Sequence, residues 1–131
     1  MFNLMLTLTL LLAAQFAADA LPTGTYNGTC LYPEAVKERA APGELVNCNQ
    51  ARITTDSISF GLRSWETRTR FNGTFEGSRM TVDSVTLPNG RTVEVRGVCE
   101  VYFSNEAVST VACTATSTRG SMGANFVVSR L

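Results

Sequence analysis

Apolar and polar residues alternate in short runs along most of this chain, and turn-forming residues separate the runs at close spacing. A period of two predicts antiparallel strands with one face buried and the other in water. Thr23 to Tyr32 puts Tyr26, Gly28, Cys30 and Tyr32 on one face, with Thr25, Asn27 and Thr29 on the other. Ser57 to Leu62 groups Ile58, Phe60 and Leu62. From Trp65 onward, Trp65, Thr67, Thr69, Phe71, Gly73 and Phe75 share one side, and Glu66, Arg68, Arg70, Asn72, Thr74 and Glu76 share the side that must face water. Extended character is also expected over Leu45 to Thr54, Arg79 to Leu87, Arg91 to Phe103, Ala107 to Ser117 and Ala124 to Leu131. Between the first two strands, Pro33 to Gly43 breaks the alternation. Pro33 suits the first position of a helix, Glu34 to Ala41 favours helix, and Pro42-Gly43 stops it.

Two hairpins can be placed in register. Asn89-Gly90 is a strong signal for a two-residue turn. Such a turn pairs Thr86 with Val93, Ser84 with Val95, Val82 with Gly97 and Asp83 with Arg96, so that opposite charges lie outside and apolar residues inside. A second reversal centred on Glu106 sets Val101 opposite Val111 and Cys99 opposite Cys113. Cysteines directly opposite on adjacent antiparallel strands have Cβ atoms roughly 4.5–5.5 Å apart, near the span of a disulfide. The prediction is therefore an all-β chain, a small antiparallel up-and-down barrel of seven or eight strands with two disulfides, with a β-sandwich as the alternative. In architecture alone this strand order resembles the lipocalins and other calycins.

Four cysteines allow three connectivities. The register joins Cys99 to Cys113, which leaves Cys30 for Cys48, a bridge that ties off the Pro33 to Gly43 segment. Residues 1–20 are expected to be a signal peptide. Leu4 to Ala14 is nearly all apolar, Ala18-Asp19-Ala20 supplies small residues for cleavage after Ala20, and the run is too short to span a bilayer. The stretch before it has no Lys or Arg. Residues 21–131 then form a single β-barrel-like domain that is secreted or periplasmic, where disulfides persist.

Charge and composition narrow the chemistry. Lys+Arg and Asp+Glu both number 11, so nothing in the balance attracts nucleic acid or, after signal cleavage, an anionic membrane. The count of His is 0, which excludes His-based Ser or Cys hydrolysis and His-ligated metal sites. With all cysteines paired there is no thiol nucleophile and no zinc knuckle, and neither a cofactor nor a metal is expected. Carboxylates remain, but Glu66, Glu76, Asp83, Glu94 and Glu100 fall at outward or turn positions, whereas glycoside hydrolysis needs two that converge.

Two surfaces are candidates for binding. Arg68 and Arg70 on one outward face, with Arg63 and Trp65 at the strand's start, have the composition of an interface hot spot. The tethered segment carries Glu34, Lys37 and Arg39, and a tie at its base lowers the ordering cost of binding. The expected function is a secreted, non-catalytic module that binds an extracytoplasmic protein, such as a hydrolase it inhibits, or a small ligand at the barrel mouth. The alternatives are a small carboxylate-dependent polysaccharide hydrolase and a structural surface component.

Overall fold

Each alternating run needs two neighbours to satisfy its backbone, and the chain meets that need by closing on itself. In the computed structural model, which describes residues 21–64 and 68–129, eight strands form a closed antiparallel barrel in sequence order. They are β1 (Gly24–Cys30), β2 (Gln50–Ile53), β3 (Ser57–Gly61), β4 (Thr69–Glu76), β5 (Arg79–Thr86), β6 (Thr92–Ser104), β7 (Ala107–Ser117) and β8 (Gly120–Val128), with one short helix, α1 (Glu34–Arg39), between β1 and β2. Closure leaves no edge strand unpaired. The sandwich alternative is thereby set aside. The expected signal peptide and Trp65 lie outside the described residues.

The seam between β1 and β8 depends on a glycine. Gly28 pairs with Val128, and a Cβ there would lie 2.0 Å from the Val127 carbonyl oxygen and 2.8 Å from the Phe126 ring. Any side chain at this position would push the two strands apart. Inward positions elsewhere are filled by Ile53, Ile58, Phe60, Phe71, Met80, Val82, Val101, Val111 and Phe126, each at most 2% exposed. Phe60 and Phe71 meet edge to face at 5.7 Å, a geometry favoured by the ring quadrupoles. Ser57 and Ser59, on the outer face of β3, are also buried. Ser57 shares a hydroxyl hydrogen bond with Thr54, and Ser59 sits in register between Arg52 and Arg70.

Both disulfides join the cysteines named from the sequence, Cys30 to Cys48 and Cys99 to Cys113. Cys99 stands directly opposite Cys113 on β6 and β7, with both side chains inside the barrel. The route to that register differs from expectation. The turn is a tight two-residue one at Asn105 and Glu106, both at positive φ (52° and 66°), as a type I′ hairpin requires. Next to the turn Phe103 pairs with Val108, and then an extra residue on β7, Ser109, shifts the pairing to Tyr102 with Thr110. The Ser109 hydroxyl donates to the Tyr102 carbonyl at 3.2 Å and holds the bulge. Beyond it the expected partners face each other.

At the other hairpin the expected two-residue turn is corrected. Pro88 fixes φ near −65°, which suits the first central position of a type I turn and shifts the reversal one residue towards the N-terminus. Gly90 (φ 87°) follows in the left-handed region; its N–H donates to the Leu87 carbonyl, and the Leu87 N–H donates to Arg91. The loop is thus three residues long. Thr86 pairs with Thr92, Val85 with Val93 and Ser84 with Glu94, in place of the Thr86–Val93 and Ser84–Val95 pairs. An extra residue on β6, where Val95 and Arg96 lie against Asp83 alone, restores Val82 opposite Gly97, so the one-to-one pair of Asp83 with Arg96 is not made.

Two local expectations also change. Pro33, with ψ 147°, precedes the helix as its cap residue and does not begin it. Of Leu45 to Thr54 only Gln50–Ile53 is strand; Cys48 and Asn49 still accept from the Cys30 and Gly28 N–H groups of β1.

Candidate functional site

The barrel is filled at one end and hollow at the other. The filled end carries the short β2–β3, β4–β5 and β6–β7 turns, while the long connection between β1 and β2 lies at the hollow end. There β1 stops at Cys30 and leaves part of β8 without its neighbour. Glu44 to Val46 takes that place: the Gly123 N–H donates to the Glu44 carbonyl at 2.8 Å, the Val46 N–H donates to the Gly123 carbonyl at 2.9 Å, and Leu45 bridges Gly123 in parallel. The Tyr32 hydroxyl donates to the Val46 carbonyl at 2.5 Å, and burial pushes the phenol's pKa up. With the Cys30–Cys48 bridge beneath them, these bonds fix residues 41–44 beside the barrel mouth.

A cavity of about 300 Å³ opens between that strap and the strand ends. Its inner wall is apolar, formed by Val85, Leu87, Val93, Val95, Ala115 and Met122; its rim carries Arg91, Arg119, Ser117, Ser121 and Glu44. A second hollow of similar volume adjoins it across Gly43, Leu87 and Met122, and reaches Phe60, Thr69 and Arg68. An eight-stranded barrel has room inside for close-packed side chains or one small ligand. Here Phe60, Phe71 and Phe126 pack within the core, and the smaller Val85, Val93, Val95 and Ala115 line the space left open at the mouth.

The residues singled out from the sequence are spread over three places. Glu34, Lys37 and Arg39 are exposed on α1, where Lys37 and Glu34 form a surface ion pair at 3.6 Å; such a pair contributes little to stability. Arg63 is exposed after β3, its N–H donating to the Asn49 side chain. Arg70 is exposed on β4 and donates to Asn72 at 2.9 Å. Arg68 departs from the expected shared face: it lies half-buried just before β4, donates to the Gln50 side chain and borders the second hollow. Burial, with the nearby Arg52 charge, lowers its pKa from the usual value. Arg70 and Arg68 therefore serve different surfaces. Trp65 cannot be placed with them, since it lies outside the described residues.

Arg91, Arg119 and Glu44 were not singled out from the sequence. Each stands next to a turn signal, Asn89-Gly90, Gly120 and Pro42-Gly43, but only the barrel brings the three turns to one rim. Among the described residues no group of three or more His, Cys, Asp or Glu side chains could hold a metal ion, and no helix is long and apolar enough to cross a membrane. No protein family, curated protein or solved structure matches the chain.

Proposed function

We propose that this protein is a secreted, non-catalytic binding module that holds one small ligand in the open end of its barrel. The observation that carries this reading is the mouth cavity, apolar within and polar at the rim, the usual make-up of a ligand site. Two disulfides in a small barrel fit an extracellular setting. Glu44 is the one carboxylate on the cavity wall among the described residues, which supports binding over glycoside hydrolysis.

A neutral probe tests the cavity. Titration with 1-octanol is expected to shift the amide resonances of Val85, Val93, Ala115 and Met122 with one-to-one saturation. Val93→Trp, which fills the mouth from β6, should weaken that binding at least about tenfold, the factor that about 1.4 kcal/mol sets. No saturable shift in the wild type, or unchanged affinity in the variant, would count against the site.

A second reading places a protein partner on the tethered segment. Helix α1 buries none of its residues, and Leu31 and Val36 are exposed (53% and 43%) alongside Glu34, Lys37 and Arg39. An exposed apolar pair within a charged, covalently tethered segment is the composition of a recognition loop. For a hydrolase shown to be inhibited by this protein, replacing Pro33 to Gly43 with a short Gly-Ser linker should abolish inhibition and leave the barrel folded. Inhibition that survives the exchange would exclude the segment.

A further inference from the structure

We infer that the mouth ligand is an amphipathic monoanion, a carboxylate on an apolar body of about eight carbons; this rests on the proposal that the open barrel end is a ligand site. The apolar body follows from the inner wall, where Val85, Val93, Val95 and Ala115 face the hollow. Its size follows from the volume. About 300 Å³ holds on the order of ten non-hydrogen atoms at roughly 30 Å³ per water-sized group.

The charge follows from the rim. Arg91 stands on the loop before β6 and Arg119 on the loop after β7, both at the cavity rim, and neither forms a salt bridge among the described residues. Their backbones are held alike: the Arg91 N–H donates to Asn89 Oδ1 at 2.9 Å, and the Arg119 N–H donates to Ser117 Oγ at 3.2 Å. Side-chain caps of this kind stabilise the turns from which the two guanidinium groups project. The opposing carboxylate, Glu44, is turned towards its own loop, with Oε2 accepting from the Ala41 N–H at 2.7 Å. Two arginines against one glutamate leave the rim at +1. One planar carboxylate balances that charge and matches a guanidinium fork, whereas a phosphate dianion would leave excess negative charge beside Glu44. Because the rim is exposed, the carboxylate keeps part of its hydration while the tail is buried, so charge burial does not oppose binding.

The test compares octanoate, 1-octanol and octylammonium at neutral pH against the wild type, Arg91→Gln/Arg119→Gln and Val93→Trp, by calorimetry and amide shifts. Octanoate is expected to bind at least about tenfold tighter than 1-octanol, as charge-assisted hydrogen bonds allow, with octylammonium the weakest. The double Arg variant should reduce octanoate to the level of 1-octanol and leave 1-octanol unchanged, and Val93→Trp should abolish both. If 1-octanol or octylammonium binds as tightly as octanoate, or the Arg variant has no effect, the anion inference is overturned while the cavity reading stands. If neither octanoate nor 1-octanol perturbs the mouth, or Val93→Trp binds octanoate normally, both fall.

Discussion

Phe71→Ala is expected to remove about 3–5 kcal/mol of stability, the usual cost of deleting a buried aromatic ring. Phe71 is 0% exposed, packs edge to face on Phe60, and stands in register between Ile58 on β3 and Val85 on β5. The surrounding strands cannot collapse into the space, because each is hydrogen-bonded on both sides within a closed ring. The cavity cost should therefore add almost fully to the lost transfer energy. Chemical denaturation would measure it as a fall in the midpoint with the slope unchanged. A loss below about 1 kcal/mol would mean that the barrel relaxes around position 71 and that its interior is not packed as described.

The second large effect is expected on removing the buried disulfide with Cys99→Ala/Cys113→Ala. The bridge spans a sequence separation of 14; by the chain-entropy model, a loop of this size contributes about 3 kcal/mol, most of it by restricting the unfolded chain. For a domain of this size the thermal midpoint should fall by roughly 10–15 °C. Substituting both residues avoids a buried free thiol, and the small methyl groups leave the β6–β7 register intact. Thermal unfolding followed by circular dichroism would show the shift, and a change of only a degree or two would mean that the Asn105-Glu106 turn and the Ser109 bulge already hold the hairpin without the bridge.

The Cys99–Cys113 pairing shows how far a local pattern can reach. Alternation placed both cysteines on the inward face, and a reversal near Glu106 placed them opposite each other. The real turn lies at Asn105-Glu106, and by itself would offset the register by one residue; the extra residue at Ser109 restores it. Nothing in the composition around Ser109 marks a bulge, because its location depends on how much the barrel must twist there. The Asn89-Gly90 hairpin fails for the opposite reason, since the decisive signal was local and next in line. Pro88, with φ fixed near −65°, suits the first central position of a type I turn and favours the longer loop that moves Val93 opposite Val85. Asp83 then falls opposite the bulge on β6, and the one-to-one charge pair expected with Arg96 is not made.

From the sequence alone came the all-β class, the inward and outward faces of most strands, though not of Ser84 to Thr86 or of Arg68, the two disulfides and the short helix in the tethered segment. These depend on period-two spacing, cysteine count and turn chemistry, all of which are local. Tertiary structure decided that the sheet closes, that one end of the barrel stays hollow, and that Arg91, Arg119 and Glu44 share one rim. Closure and convergence depend on strand tilt, bulge positions and the pairing of Glu44 to Val46 with β8. Those relations join residues far apart in the chain, and no local pattern of side chains encodes them.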